Sequence, residues 1–210
     1  MDNNNKDGQL IRPCREQVKE YLNKWEKLPN YVEQEKSLDL LFIKTFPNNN
    51  NLNEILIKVS CLNDFYSTNI FDIYHVGKHI KDLNLDNRLK AKDLSLVNDI
   101  AKIQIKNKDK NFYSFATKYC SHHYPFDYPI YDYHVDKVLR EIRNKYKSLD
   151  FENDDLKDYP KFKSILENFQ RIYHLEKFNL KQIDRYLWQL GKHLYPRNYK
   201  NKKKSVILRL

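Results

Sequence analysis

Apolar side chains recur at three- and four-residue steps along nearly the whole chain. Val18, Tyr21, Leu22, Trp25 and Leu28 keep the i, i+3, i+4, i+7 spacing of one helix face. Leu38, Leu41 and Phe42 give a shorter stripe, and four Asn at 48–51 interrupt it. Asn51 and Glu54 then stand in N-cap and N3 positions ahead of Ile55, Leu56, Val59 and Leu62. Asn69 and Asp72 repeat that capping pattern ahead of Ile70, Ile73, Val76 and Ile80. Further helices are predicted from Leu94, Val97, Ala101 and Ile105, from Phe115, Ala116, Tyr119 and Cys120 (114–121), and from Val135, Val138, Leu139, Ile142 and Tyr146. Phe162, Ile165, Leu166, Phe169, Ile172 and Tyr173 form another clean face, and Asn179 caps a last helix carrying Ile183, Leu187, Leu190 and Leu194. No window alternates strictly enough to predict a strand, and the acidic stretch 148–158 reads as a loop. The expectation is about nine helices, with no repeat at a solenoid period.

Composition narrows the class. A chain of 210 residues with 40% hydrophobic content, sixteen Tyr and eleven Phe can bury a core, as disordered chains cannot. The expected fold is all-α: a single two-lobed helical domain over 1–195, with 52–125 as the central lobe, 1–45 plus 130–195 as the second, and 196–210 as a flexible basic tail. Three Gly in the whole chain argue against glycine-loop nucleotide binders. No apolar run approaches the ~20 residues that cross a bilayer, and the opening MDNNNKDGQL has no apolar core of a secretory signal. Cys14, Cys61 and Cys120 have no C-x-x-C spacing, which points to reduced thiols and a cytoplasmic protein. The net charge is +10, and six of those charges fall in the tail 196–210. A basic balance favours an anionic partner, nucleic acid first. A soluble protein with a solvated lysine surface explains the charge equally well.

One segment departs from ordinary helix and loop: Phe112-Tyr-Ser-Phe-Ala-Thr-Lys-Tyr-Cys-Ser-His-His-Tyr-Pro-Phe-Asp-Tyr-Pro-Ile-Tyr-Asp-Tyr-His-Val135. A short helix leads into an aromatic loop with Pro125 and Pro129, and Pro129 holds the residue before it extended. Asp132 then stands just before a helix predicted to begin near Tyr133, where its side chain can cap and its charge meets the positive end of the helix dipole. This arrangement resembles the helix–hairpin–helix DNA glycosylase superfamily of the endonuclease III and 8-oxoguanine glycosylase type. In that family a helix with a Lys-Thr-Ala-like start is followed by a Pro-containing loop and then a hydrophobic-Val-Asp-Thr-His-Val block. Pro129-Ile-Tyr-Asp-Tyr-His-Val135 matches that block. Leu56-Ile-Lys-Val-Ser-Cys-Leu-Asn-Asp-Phe-Tyr-Ser-Thr-Asn-Ile70 is similar to the family's early buried helix and the polar loop behind it, and 180–192 is similar to bacterial relatives of the fold. The resemblance spans 52–192 and is sharpest at Asp132.

The resemblance implies double-stranded DNA as partner, no cofactor, and excision of a damaged or modified base. It puts Asp132 on the family's catalytic aspartate and His134 on its histidine. The family's lyase lysine lies eighteen residues before the aspartate; here that position is Ser114, and Lys118 lies fourteen before, one turn away. Lys118 is therefore the candidate amine, and its offset implies a monofunctional enzyme with water as nucleophile. Asn63, Tyr66 and His134 are candidates for contact with DNA, as are Lys110, Ser114, Lys137 and Arg140. The family's glycine hairpin has no counterpart, since 106–113 contains no Gly, and the four-Cys iron–sulfur pattern is absent. A non-catalytic nucleic-acid-binding or interaction module on the same fold is the alternative. Each residue also has a plain role: Asp132 as a helix cap, Tyr119, Tyr124, Tyr128 and Tyr131 as core or loop packing, Cys120 as a buried thiol. His122 and His123 lack any metal-ligand spacing, so no metal is expected.

Overall fold

The computed structural model describes residues 9–196. Ten α-helices account for most of the described residues: α1 Arg15–Trp25, α2 Pro29–Asp39, α3 Leu52–Tyr66, α4 Ile73–Asp82, α5 Asp86–Lys90, α6 Leu96–Ala101, α7 Tyr113–His123, α8 Tyr133–Tyr146, α9 Tyr159–Ile172 and α10 Leu180–Leu194. A π-helical turn, Leu40–Thr45, continues α2, and a 3-10 helix, Asn153–Lys157, precedes α9. Among the described residues the fold is all-α apart from one short hairpin. The basic tail lies outside the described residues beyond Pro196.

Local chemistry places five of the ten α-helix starts where capping residues stand. Asn51, Asp132, Asp158 and Asn179 are N-caps whose side chains accept from backbone N–H groups of the first turn. Asn179 and Gln182 form a reciprocal capping box. Pro160 sits in the first turn of α9, where its missing N–H costs nothing. Asp72, not Asn69, caps α4: Asn69 is left-handed (φ 58°), so Ile70 lies in the loop rather than in the helix.

Three other expectations are corrected. The helix expected through Ile105 ends at Ala101, and the chain enters an antiparallel hairpin, β1 Lys102–Ile105 with β2 Lys108–Asn111. Ile103 and Ile105 point inward while their neighbours are exposed, so the alternation is real but only four residues long. Its two-residue turn, Lys106 and Asn107, takes positive φ (49° and 59°) at both positions, the type I′ geometry usually given to Asn-Gly. The acidic stretch after α8 is not simply a loop: Leu149, Phe151 and Leu156 are buried, and 153–157 turns as 3-10 helix. The described residues hold ten α-helices, where about nine were expected.

α10 packs on α8, α1 and α9; α3 packs on α4 and α7; α6 packs on α7. α2 touches α3 and α7 and is ion-paired to α10 through Glu35.

Candidate functional site

The site begins with α7. Phe115, Ala116, Tyr119 and Cys120 bury one face of it. Lys118 belongs to the same helix and is only 3% exposed. A helical side chain leans toward the helix N-terminus, so the Lys118 ammonium reaches back one turn. Its Nζ donates to Ser114 Oγ at 2.6 Å, and also approaches Ser114 O (3.3 Å) and Tyr131 O (3.4 Å). The side chain thus spans the turn between Lys118 and Ser114.

The aromatic loop is tied to α7 from the other side. Ser114 Oγ donates to Tyr131 O (3.0 Å), and Tyr131 N donates to Thr117 Oγ1 (3.1 Å). Tyr159 holds Pro129 O (2.8 Å), and Tyr131 OH donates to Asp136, which pairs with Arg140. Asp132 follows directly, extended (φ −140°, ψ 157°), with its carboxylate accepting from His134 N at 2.8 Å.

Two cavities of about 560 Å³ each meet at this point. Tyr66, Ser67, Asn69, Lys118 and Asp132 border both. The first opens between the α3–α4 loop, the base of the hairpin and the start of α8, with Tyr113, Ser114, Tyr131 and Arg140 on its walls. The second lies between α2, α8 and α10 and holds Trp25, Tyr31, Trp188, His134 and Asp184. Trp25, Tyr31 and Trp188 meet edge to face or tilted, with centroids 5.0–6.0 Å apart, and Lys192 lies over Tyr31 and Trp188. Both volumes fall in the range of roughly 300–1,000 Å³ typical of small-molecule sites.

Electrostatics differ between the walls. Burial pushes the Asp184 carboxyl up to about 7, against the pull of Lys181 and Lys118. Burial also acts on Glu35, but Lys181 (2.9 Å) and Arg185 outweigh it and hold that carboxyl below its usual range. Tyr66 OH contacts His122 Nε2 at 3.0 Å, and the His122 ring faces Asp39 at 3.9 Å. Burial lowers His122 and raises Tyr66, so a neutral pair backs the cavity wall.

The structure sorts the sequence candidates. Asp132, Lys118, Ser114, Tyr66 and Arg140 gather around the first cavity, and His134 lines the second. Asn63 is instead spent inside the protein: its amide holds Thr68 and Ile70. Lys137 pairs with Glu141 (2.7 Å) away from the lining, and Lys110 stands exposed on β2. Of the aromatics, Tyr131 walls a cavity, whereas Tyr119 and Tyr128 are core. Cys120 is a buried thiol that burial pushes upward. Sequence reading missed Asp184 and Glu35 and the Trp25–Tyr31–Trp188 cluster. Asp184 carried a signal, because it falls on the apolar stripe of α10 beside Ile183 and Leu187.

The two helices that frame the acid touch through backbone. A Cβ at Gly191 of α10 would lie 2.6 Å from His134 Cβ and 2.7 Å from His134 O. Gly191→Ala is therefore expected to push α10 off α8 and lower stability by ~1–3 kcal/mol, as overpacking does. Gly77→Ala is the control: its Cβ would meet the tip of the Leu56 side chain at 2.6 Å, which can rotate away. Urea midpoints of the two variants compare them; equal midpoints would mean that α8 yields easily.

The fold and site thus define a helical protein with an acid and a lysine at the junction of two cavities. Residues 17–127 match the family HI_0787_N, described as an N-terminal domain. The chain belongs to that family. It is 48% identical over 145 residues, 69% of each chain, to an uncharacterised protein of Haemophilus influenzae. The family match includes Ser114 and Lys118 and stops short of Asp132. No solved structure matches the chain. Among the described residues no helix is long and apolar enough to cross a membrane.

Proposed function

We propose that the protein binds double-stranded DNA and hydrolyses the N-glycosidic bond of a damaged or modified base, as a two-lobed relative of the helix–hairpin–helix glycosylases. One observation carries the reading. The Lys118 ammonium sits against the residue eighteen positions before Asp132, and both side chains border the same cavities. Work on a single base requires it to leave the stack, and the aromatic second cavity suits a planar ring. The glycosidic bond breaks with its electron pair going to the base. The Asp132 carboxylate stabilises the sugar cation that develops and orients the water that adds to it; the water's surplus proton passes to the carboxylate or to solvent.

The amine of a lyase must offer a lone pair to form a Schiff base. In Lys118 that nitrogen donates to Ser114 Oγ and faces the Tyr131 carbonyl, so it is engaged within the protein. Base release without strand cleavage is the expected result. The experiment incubates labelled duplexes carrying uracil, oxidised guanine, alkylated adenine or an abasic site, with and without borohydride. A trapped complex that disappears in Lys118→Ala would overturn the monofunctional assignment. Tight duplex binding with no release from any of them would favour the binding module, as does the lack of Gly in 106–113, where the resemblance puts the family's glycine hairpin.

A further inference from the structure

Ser114 and Lys118 lie four residues apart on α7, so their side chains share one face of it. Both border the first cavity. Ser114 Oγ has two neighbours for its one proton, Lys118 Nζ at 2.6 Å and Tyr131 O at 3.0 Å. Behind that contact, Ser114 O (3.3 Å) and Tyr131 O (3.4 Å) steady the lysine nitrogen. A hydroxyl is a weak nucleophile until an adjacent base takes its proton. Engaged with Ser114, the lysine nitrogen is placed to take that proton rather than to attack a sugar. Burial of Lys118 favours the neutral amine. Asp132 and Asp184, which share its cavity wall, and the Tyr66 ring, 5.2 Å away, favour the ammonium. The base is the neutral fraction.

Acyl transfer also needs donors for the oxyanion that develops. The N-cap of α7 is Phe112, which has no side-chain oxygen to offer, and the first-turn N–H groups of Ser114 and Phe115 have no intrahelical acceptor. Phe115 borders the same cavity. Its N–H belongs to the residue directly after the nucleophile, the position that supplies one oxyanion donor where a serine opens a helix. Tyr113 and Tyr131 wall the space beside Ser114, and Arg140 there is already paired with Asp136. Small aryl or alkyl esters fit such a wall.

We propose that Ser114 and Lys118 form a nucleophile–base dyad that hydrolyses small carboxylic esters in the first cavity. Ser114 Oγ attacks the ester carbonyl as its proton passes to Lys118 Nζ. The tetrahedral oxyanion forms against the first-turn N–H groups and collapses. The C–O bond to the alcohol breaks, and Nζ returns the proton to the departing oxygen. Water then attacks the acyl-serine ester, giving a proton to Nζ, and the carboxylic acid leaves as Ser114 regains its hydrogen. One ester and one water yield one acid and one alcohol. This activity goes beyond base release and does not rest on it, because it uses Ser114 and Lys118 without Asp132.

The test uses the full chain and an alkyl fluorophosphonate, which phosphonylates an activated serine hydroxyl and expels fluoride. Peptide mass spectrometry should place the adduct on Ser114. Ser114→Ala should abolish it while the melting temperature holds. Lys118→Arg should slow labelling by about 10²-fold or more, the usual worth of a general base, because a guanidinium keeps the charge but does not give up its proton. With p-nitrophenyl acetate, the wild type should carry an acetyl group on Ser114 that hydroxylamine removes, as it removes an ester and not a lysine amide. No adduct on Ser114 from either reagent would overturn the dyad, as would labelling at the wild-type rate in Lys118→Arg. The adduct on Ser114 and its loss in Ser114→Ala decide the nucleophile even where Lys118→Arg melts early.

Discussion

Asp132→Asn should reduce base release by about 10²–10³-fold, the usual worth of an electrostatic group aimed at a developing charge, while duplex binding stays at the wild-type level. The asymmetry follows from what the side chain does in the fold. It accepts a hydrogen bond from His134 N at 2.8 Å, and an amide oxygen accepts that bond equally well. The cap survives, α8 keeps its start, and only the charge is lost. On the proposed chemistry, removing that charge leaves the sugar cation without its counter-ion and the attacking water without a base to take its proton. Single-turnover assays on the duplex that the wild type processes provide the measurement, with fluorescence anisotropy for binding. Unchanged turnover in the variant would remove Asp132 from the chemistry and leave it a helix cap.

The second large effect is on stability. Lys58 is fully buried, and its ammonium donates to Phe46 O (3.1 Å), Asn48 O (2.8 Å) and Asn49 Oδ1 (2.6 Å). Asn49 in turn donates to Asp86 and accepts from Tyr119. The lysine thus ties the segment between the π-helical turn and α3 to α5 and α7. Lys58→Met keeps the apolar stem and strips two backbone carbonyls of their donor. At ~1–3 kcal/mol for each stranded group, the loss should be on the order of 3 kcal/mol, read as a lower urea midpoint. Burial also pulls the Lys58 ammonium down to about 8. An unfolded chain keeps that proton to about 10.5, so between the two values the unfolded state binds more protons and stability rises with pH. The gap between wild type and Lys58→Met should therefore widen from pH 8 to pH 10.5. A gap that stays constant across that window would show that the folded lysine remains charged.

Lys58 also shows how much the chain disclosed in advance. Helical periodicity located most helices, because each one buries a stripe that the 3.6-residue period makes visible; Val135, Val138, Leu139 and Ile142 on α8 are an example. Caps were legible for the same local reason. Hairpin β1–β2 was hidden because two inward isoleucines in a four-residue strand are too few to establish a period of two, and because Lys106-Asn107 lacks the glycine that usually marks such a turn. The candidate site was half legible. Asp132 stood out from its block, but the second cavity is assembled from α2, α8 and α10, and sequence spacing says nothing about which distant faces meet. A stricter reading had one signal left. Lys58, Lys118 and Asp184 all occupy positions on or beside apolar stripes, and all three are buried at the polar centres of the fold.

The wall shared by the two cavities has a kinetic consequence. Tyr66, Lys118 and Asp132 face both spaces, so the reacting group stands at a crossing rather than at the end of a blind passage. On the proposed chemistry, strand and leaving base do not queue for one opening: the duplex is held at the first cavity and the base departs past the tryptophans. Free base would then slow turnover by filling the far chamber while the duplex stays bound, an inhibition that more duplex does not relieve.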